Sequence, residues 1–556
     1  IHLGAHGTLE WLPGKATALS QACAPRALLG PLPVIYPFIV NDPGEAAQAK
    51  RRISAIAIGH NTPPLIETAS SPALREIERL VDEYSAADGL DKKRRERLAR
   101  DVLGAVAKAG LEQACAITPG MSEAEALMRV DAFLCDVKAL AIRDGLHILD
   151  ETELNAISRA LDGRFIEPGP SGAPSRGRTD VLPTGRNLYS VDPRTIPTPL
   201  ACENGARIAE AIVARYAEDH GDWPRSIVLD LWGSQTVRTG GEEIGTALAL
   251  LGVKPVWDAS SFRVTGFEIV PLMQLNRPRV DVTLRISGLL RDMFPAQLAF
   301  FHAAVQRVAA RDEPLSENPL GRHKGELYRI FGAADGAYGA GVGHRIGAGD
   351  WRTREDLAES YLAASGTAFT GEGEGLAARP EFERRVKAAQ GFVHIQDHGE
   401  TDILSSLDFA SHEGGFAAAA LALGNKNAEV YHADTAAPQA PRVRTLAEEA
   451  ARVLHGRALS ERWLEGQMRH GFRGAAEMAA TADAAFAFAA TAGAVNSEGL
   501  EHLYEAYLGD PAVAGFLARE NGAALEAIRS RFREAITRSL WRPRRNDLSG
   551  LGGGAP

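Results

Sequence analysis

SIVLDLWGSQTVRTGGEEIGTALALLGVKPVWD, residues 226–258, decides the fold. SIVLDLWG is an apolar run of strand length, the pattern of a strand covered on both faces. Gly240 and Gly241 open, and Gly252 closes, an apolar helix through EEIGTALALL, and KPVWD follows as the next strand. Strand, helix and strand in this order predict a right-handed βαβ unit inside a three-layer α/β domain. GFEIVPL (266–272) and RVDVTLRIS (279–287) predict further strands, and FPAQLAFFHAAVQRVAAR (294–311) an amphipathic helix. The loop LWGSQTVRTGG (231–241) lies where such folds bind ligands, outside the carboxyl end of a strand. It is not a P-loop, because GxxxxGK[ST] occurs nowhere in the chain. DGAYGAGVGHRIGAGDW (335–351) lacks a GxGxxG with a following acid, so it reads as a turn-rich loop against a neighbouring domain.

Outward from this block, the length of 556 residues predicts about three or four domains. Residues 1–72 read as an α/β segment. Ile1–Leu3 end a strand, Lys15–Ala22 form a short helix, and PLPVIYPFIVNDPGE (31–45) carries a strand into a capped helix. That helix continues through AAQAKRRISAIAIGH (46–60) and stops before Pro63-Pro64. Residues 73–162 have helical periodicity throughout, and Lys92–Arg95 read as a solvated helix face. Residues 163–222 begin with an ordered loop rich in proline, glycine and arginine and end in a helix. The α/β domain occupies 223–390, an acidic and histidine-bearing loop with an apolar helix 391–440, and a helical domain 441–556. The fold class is therefore α/β and multidomain, with three-layer βαβ domains, helical regions and a helical C-terminal part. The basic-aromatic tail LWRPRRN (540–546) reads as a docking strap.

Composition excludes several functions. Hydrophobic residues make up 45% and charged residues 24%, with a net charge of −10 and no basic stripe, so nucleic acid has no electrostatic footing. Cys23, Cys115, Cys135 and Cys202 form no CxxC pair and read as reduced, buried thiols of a cytoplasmic protein. No apolar run is long enough to span a bilayer, and no signal peptide is expected. The chain opens inside a strand without methionine, which suggests a fragment.

Two stretches carry chemistry. IHLGAHGTLEWLPGK (1–15) presents His2, His6 and Glu10 from a loop hinged at Gly4 and Gly7. Glu10 beside Trp11 is placed for a raised pKa suited to proton transfer, although HExxH is absent and such groups also meet by chance. HIQDHGETDILSSLDFASHEGG (394–415) holds eight ionisable groups, among them Asp397, Asp402, Asp408, His412 and Glu413. That density fits either a solvated loop or a buried set paired with itself or with a cation. Arg176, Arg178 and Arg186 fit carboxylate clamps and structural pins equally well.

The first stretch resembles, nearly letter for letter, a motif of the aerobic cobaltochelatase large-subunit family, relatives of the porphyrin-binding large component of magnesium chelatase. PFIVNDPGEAAQAKRR (37–52), PSRGRTDVLPTGRN (174–187), WGSQTVRTGGEEIGTALALLGVKPVWD (232–258) and NPLGRHKGELYRIFGAADGAYGAG (318–341) resemble that family in the right order. So do DHGETDILSSLDFASHEGGFAAAA (397–420), WLEGQMRHGFRGAAEM (463–478) and LWRPRRN. The family's large subunit is about twice as long, so this chain looks like its C-terminal half.

The resemblance implies ATP-driven insertion of cobalt(II) into hydrogenobyrinic acid a,c-diamide, on the way to cobalamin. Cobalt is the substrate metal. ATP and magnesium are used by partners, an AAA+ ATPase subunit and a subunit with a metal-ion-dependent adhesion motif, and no tightly bound cofactor is expected on this chain. It implies roles for Glu10 and Asp408; since imidazoles and carboxylates coordinate cobalt and accept protons, the candidates are Glu10, His6 and Asp408 as catalytic and His2, His6, Glu10, Asp402 and His412 as metal-binding. Arg176, Arg178, Arg186, Asn187, Trp232 and Arg238 would hold the tetrapyrrole, whose carboxylates suit arginine. Gly399 and Ser405 depart from the family pattern, which has an arginine and an acid there. The alternatives are a magnesium chelatase-like subunit acting on protoporphyrin and a non-catalytic tetrapyrrole-binding sensor.

Overall fold

The computed structural model describes residues 1–2, 9–15, 19–87, 91–147, 149–189, 191–321, 327–544 and 548–551. In chain order the strands are β1 (Ile35–Ile39), β2 (Ile56–His60), β3 (Leu65–Glu67), β4 (Ala141–Arg143), β5 (Pro168–Pro170), β6 (Asn187–Tyr189), β7 (Ser226–Leu231) and β8 (Val253–Trp257). They continue with β9 (Val264–Ile269), β10 (Asp281–Ile286), β11 (Ile330–Gly332), β12 (Thr367–Ala368), β13 (Leu376–Ala377), β14 (Gly391–Gln396), β15 (Glu429–Asp434) and β16 (Arg442–Thr445). Helices fill most of the remainder, so the molecule is mixed α/β with a helical C-terminal part.

Eight strands form one sheet in the order β13-β12-β11-β10-β7-β14-β15-β16. The central strands β11, β10, β7, β14 and β15 are parallel, and every residue of β7, β10 and β14 is buried, as the apolar reading of SIVLDLWG requires. From β7 the chain builds outward through β10 and β11, then returns to place β14 and β15 on the other side. The order therefore reverses between β7 and β14, the kind of position outside the carboxyl ends of strands where open α/β sheets bind ligands.

The βαβ unit differs from the sequence expectation in its second strand. KPVWD does not join β7; β8 pairs antiparallel with β9 in a separate ribbon, and β10 is the parallel neighbour of β7. Pro255 has no N–H for a central ladder, and Lys254 and Val256 are exposed, so this segment suits an edge ribbon.

A second sheet, in the order β1-β2-β6-β5, is built from both sides of the 73–162 helices. The helix expected to run to residue 60 ends at Ile53, because Ser54 adopts φ 54°, and IAIGH becomes β2 beside β1. The short helix expected at Lys15–Ala22 lies instead at Ala24–Leu29, where Pro25 occupies the first turn; residues 16–18 fall outside the described set. This smaller lobe docks on the larger one through helices Pro43–Ile53 and Gly233–Thr239. A Cβ at Gly44 would lie 2.5 Å from the Ser234 Cα, so only glycine permits that approach.

Other expectations also change. The 335–351 stretch contains a helix, Val342–Ala348. His394 sits in β14 rather than a loop, β15 lies in the segment read as loop and apolar helix, and β16 opens the part read as helical. Of the four free cysteines, Cys23 and Cys115 are buried while Cys135 is exposed. The tail does strap down: buried Trp541 donates from Nε1 to Glu501 Oε2 at 2.7 Å, and Arg544 pairs with Glu498. No helix among the described residues is long and apolar enough to cross a membrane.

Candidate active site

Glu10 lies in a single 3-10 turn, Leu9–Trp11, and is completely buried. Its backbone carbonyl accepts from Arg52 at the end of helix 43–53. Neither carboxylate oxygen has a hydrogen-bond partner among the described residues. Burial pushes its pKa above the ordinary carboxylate value, against the lowering influence of its own backbone, His2, Tyr36 and Arg52. His2 stacks on Tyr36 with ring centroids 4.3 Å apart, and the buried Tyr36 hydroxyl lies close enough to Glu10 to lower its pKa. A buried, unpaired carboxyl is costly, and such a group is a candidate for a role that folding does not explain.

Trp11 carries this motif to the rim of the large sheet. Its ring meets Tyr338 edge-on at 5.0 Å, and Tyr338 belongs to the 333–341 loop after β11. Arg291, beyond β10, pins that loop through the carbonyls of Ala333, Ala334 and Ala337. The Tyr338 hydroxyl donates to Asp292 at 2.7 Å.

Along the same rim, at the point where strand order reverses, Asp230 of β7 is fully buried. Its Oδ2 lies 2.8 Å from His412 Nδ1 and 3.1 Å from His394 Nδ1, and accepts from Trp232 Nε1 at 2.6 Å. Arg285 of β10 closes the group, 3.6 Å from Asp230, and also donates to the Gly339 carbonyl of the Tyr338 loop. Burial alone would raise the Asp230 pKa, but the adjoining histidines and Arg285 hold it far below the usual carboxylate range. His412 is lowered by burial and by Arg285, with Asp230 and Asp408 opposing.

The substrate-binding candidates divide between the two lobes. Arg176 Nη2 donates to Glu242 Oε1 at 2.7 Å and Nη1 to the Asp397 carbonyl at 3.0 Å, its side chain only 8% exposed. Arg238 Nη2 donates to Asp397 Oδ1 at 2.8 Å and its Nη1 to the Asn41 carbonyl at 2.6 Å. Both arginines thus fasten the small lobe to the large one. Arg178 is exposed and pairs with Asp180, Arg186 caps the Asp180 carbonyl, and Asn187 accepts from Lys50. Trp232 is half-buried over Asp230 with its ring against Phe409 and His412.

Among the metal candidates, Asp402 is held by Arg457, with Nη2 to Oδ1 at 2.8 Å, and caps the Leu404 N–H. His412 has the Arg285 guanidinium 2.8 Å from Nδ1 and 3.1 Å from Nε2, a position that a cation would have to displace. His6 lies outside the described residues. Asp408 is exposed at the start of the helical segment that carries His412. Among the described residues no group of three or more His, Cys, Asp or Glu is arranged around a vacant cation position.

Sequence reasoning passed over Asp230, Arg285, Tyr338, Glu243 and His432. Asp230 had a visible signal, a lone charge inside the mostly apolar run SIVLDL, and Arg285 a weaker one, a charge inside a predicted strand. Tyr338 and His432 had none beyond residue type.

Comparison with known proteins agrees with this architecture. The CobN/Magnesium Chelatase family model matches residues 1–152 and 149–548. The aerobic cobaltochelatase subunit CobN of Sinorhizobium sp is 40% identical over 99% of this chain and 56% of its own length. The CobN of Pseudomonas aeruginosa is 38% identical over 97% of this chain and 55% of its own length. The corresponding magnesium-chelatase protein of Rhodobacter capsulatus is 31% identical over 99% of this chain and 48% of its own length. The solved structure of the catalytic subunit of cobaltochelatase from Mycobacterium tuberculosis superposes with a TM-score of 0.93 at 35% identity, covering 99% of this chain and 57% of that one. The chain spans about half the length of the curated relatives it matches.

Proposed function

Because this chain belongs to the CobN/magnesium chelatase family, we propose that it is the metal-inserting part of an ATP-dependent cobaltochelatase large subunit. The substrates in this reading are cobalt(II) and a corrin-type tetrapyrrole, hydrogenobyrinic acid a,c-diamide. An AAA+ ATPase subunit and a subunit with a metal-ion-dependent adhesion motif, acting in the cytoplasm, supply ATP hydrolysis. The single observation that carries the reading is the completely buried Glu10 carboxyl, whose oxygens have no hydrogen-bond partner among the described residues.

Insertion strips water from the cation and removes two pyrrolic protons. Glu10, held basic by burial, accepts a proton at its carboxylate or coordinates the incoming cation, with His2 and His6 beside it in sequence. Trp11 and Tyr338 offer aromatic surface at the rim, and exposed Asp408 supplies a second carboxylate. Asp402 and His412 leave the metal-binding set in this reading, since Arg457 and Arg285 already occupy them. Arg176 and Arg238 act as lobe fasteners, and Arg178 and Arg186, on the outer loop, remain for the substrate's carboxylates.

The greater identity to the cobaltochelatase relatives favours cobalt over magnesium. Titrating the full-length protein with hydrogenobyrinic acid a,c-diamide and with protoporphyrin IX tests the assignment. Tighter binding of the corrinoid precursor is expected. Preference for protoporphyrin would move the chain to the magnesium branch.

A further inference from the structure

Two arginines are seated on glycines in the outer loop of the small lobe. A Cβ at Gly172 would come within 3.2 Å of the Arg178 Cγ, and one at Gly169 within 2.5 Å of the Arg186 Cβ. A side chain at either position would crowd its arginine, so glycine there keeps both cations in place. Both arginines converge on Asp180, in the 3-10 turn Thr179–Val181. Arg178 donates from Nε to Asp180 Oδ1 at 2.8 Å and from Nη2 to Oδ2 at 2.9 Å, a bidentate fork. Arg186 donates from Nη2 to the Asp180 backbone carbonyl at 2.7 Å.

The fork does little for the fold. The Arg178 and Asp180 side chains are 44% and 56% exposed, and an ion pair so exposed adds little to stability. The backbone closes the turn by itself, with the Leu182 N–H donating to the Thr179 carbonyl at 3.1 Å. Arg186 Nε, by contrast, is buried with no hydrogen-bond partner among the described residues, a donor that folding leaves unused. Beside it Asn187 accepts from Lys50, which adds a third cation. Lys50 belongs to helix 43–53, and Arg52 of the same helix holds the Glu10 backbone carbonyl. One helix therefore fastens both the arginine-bearing loop and the Glu10 turn.

An exposed guanidinium that already grips a carboxylate shows which ligand it fits. A carboxylate arriving from outside makes the same two bonds in the same geometry. Asp180 is then a competitor built into the chain. Two residues from Arg178, it is present at an effective concentration on the order of millimolar or more. A lone acid in solution does not displace it, whereas a ligand with several carboxylates and further points of attachment does.

Resting on the chelatase reading, we propose that Asp180 occupies the Arg178 fork until a peripheral carboxylate of the tetrapyrrole replaces it, so that Asp180 sets the affinity and selectivity of ring binding. Arg186, with its unused Nε, is the second donor to the incoming group. No covalent bond changes: one ion pair is exchanged for another, and the Asp180 carboxylate passes to water. The exchange carries a salt signature. In the parent, binding breaks one pair as it makes another, so the fork adds little to the ionic-strength dependence. Without Asp180 the new pair is not offset, and screening weakens it.

The test titrates the full-length protein with hydrogenobyrinic acid a,c-diamide and with its methyl ester, at low and high salt. Asp180→Ala and Asp180→Asn should each bind the free acid about two- to fivefold more tightly, the scale of an exposed ion pair no longer broken. Their affinity should fall more steeply with salt than the parent's, and Asp180→Glu should restore parent behaviour. Arg178→Ala should weaken binding and abolish the gain from Asp180→Ala. The ester should bind less tightly and be indifferent to residue 180. Unchanged or weaker binding of the acid by folded Asp180→Ala and Asp180→Asn overturns the proposal. So does a gain that survives Arg178→Ala or appears equally with the ester. Should the Asp180 variants fail to fold, the parent decides, since equal affinity for acid and ester overturns the exchange. A parent that binds no tetrapyrrole overturns the chelatase reading as well, whereas a binding parent with indifferent variants overturns the exchange alone.

Discussion

Glu10→Gln separates function from folding at the residue on which the account depends. The carboxyl is fully buried, and neither oxygen has a partner among the described residues, so its charge is opposed by desolvation. Its folded-state pKa therefore lies above the ordinary 4.5 of an unfolded glutamate. Between those two values the folded protein holds the proton more tightly than the unfolded chain does. Native stability contributed by this group is thus present below pH 4.5 and is lost as pH rises through the folded value. Glutamine does not titrate. The Tm difference between variant and parent should be near zero in acid and grow in favour of the variant toward neutrality. Its size should be about 1–3 kcal/mol, the scale for a buried polar group left unsatisfied. Metal insertion should move the other way, falling at least about a hundredfold, or roughly 2.7 kcal/mol of barrier. Calorimetry across pH and an insertion assay on the same two proteins read both. A variant that is less stable at neutral pH would show Glu10 to be a structural anchor. Insertion at the parent rate would remove Glu10 from the chemistry.

Arg176→Ala leaves Glu242 only the Asn204 amide and Asp397 only Arg238, and should cost about 1–3 kcal/mol in denaturant unfolding; an unchanged midpoint would show that the lobes do not depend on it. Glu243 is pushed up to about 7 by burial, with Asp397 and Glu242 adding to the rise, so its contribution to stability declines as pH climbs from 4.5 through 7. Glu243→Gln should remove that pH dependence from the thermal unfolding curve. Asp408→Asn, at an exposed position, should leave stability within about 0.5 kcal/mol while slowing insertion, which parallel melts and rate measurements would show. The chain freed of partner subunits should hydrolyse no ATP, since GxxxxGK[ST] is absent; steady phosphate release would contradict this.

The large sheet was legible because β7 is a nearly continuous apolar run and β10 a run rich in β-branched and apolar residues, both buried throughout. The place of VKPVW was not legible, since a short apolar run reads alike in a sheet centre and an edge ribbon; Pro255 was the clue that it sits apart. β2 was hidden because AAQAKRRISAIAIGH carries helical spacing across a boundary that only the φ 54° at Ser54 marks. At the site, Glu10 stood out by its glycine-hinged setting and its apolar neighbours, and the structure places it buried beside Trp11. The acidic segment misled in a different way. Its density of charge suggested one cation site, yet the fold draws Asp397 to Arg238, Asp402 to Arg457 and His412 to Asp230. Those partners lie from 55 to 182 residues away in sequence, beyond what local pattern can show.

The most direct test of the central claim is metal insertion by the full-length protein with its partner subunits and ATP, offered cobalt(II) with hydrogenobyrinic acid a,c-diamide and magnesium(II) with protoporphyrin IX. Cobalt should enter the corrinoid precursor in an ATP-dependent manner and cease to do so in Glu10→Gln. Insertion of magnesium into protoporphyrin alone, or cobalt insertion that is indifferent to Glu10, would contradict the account.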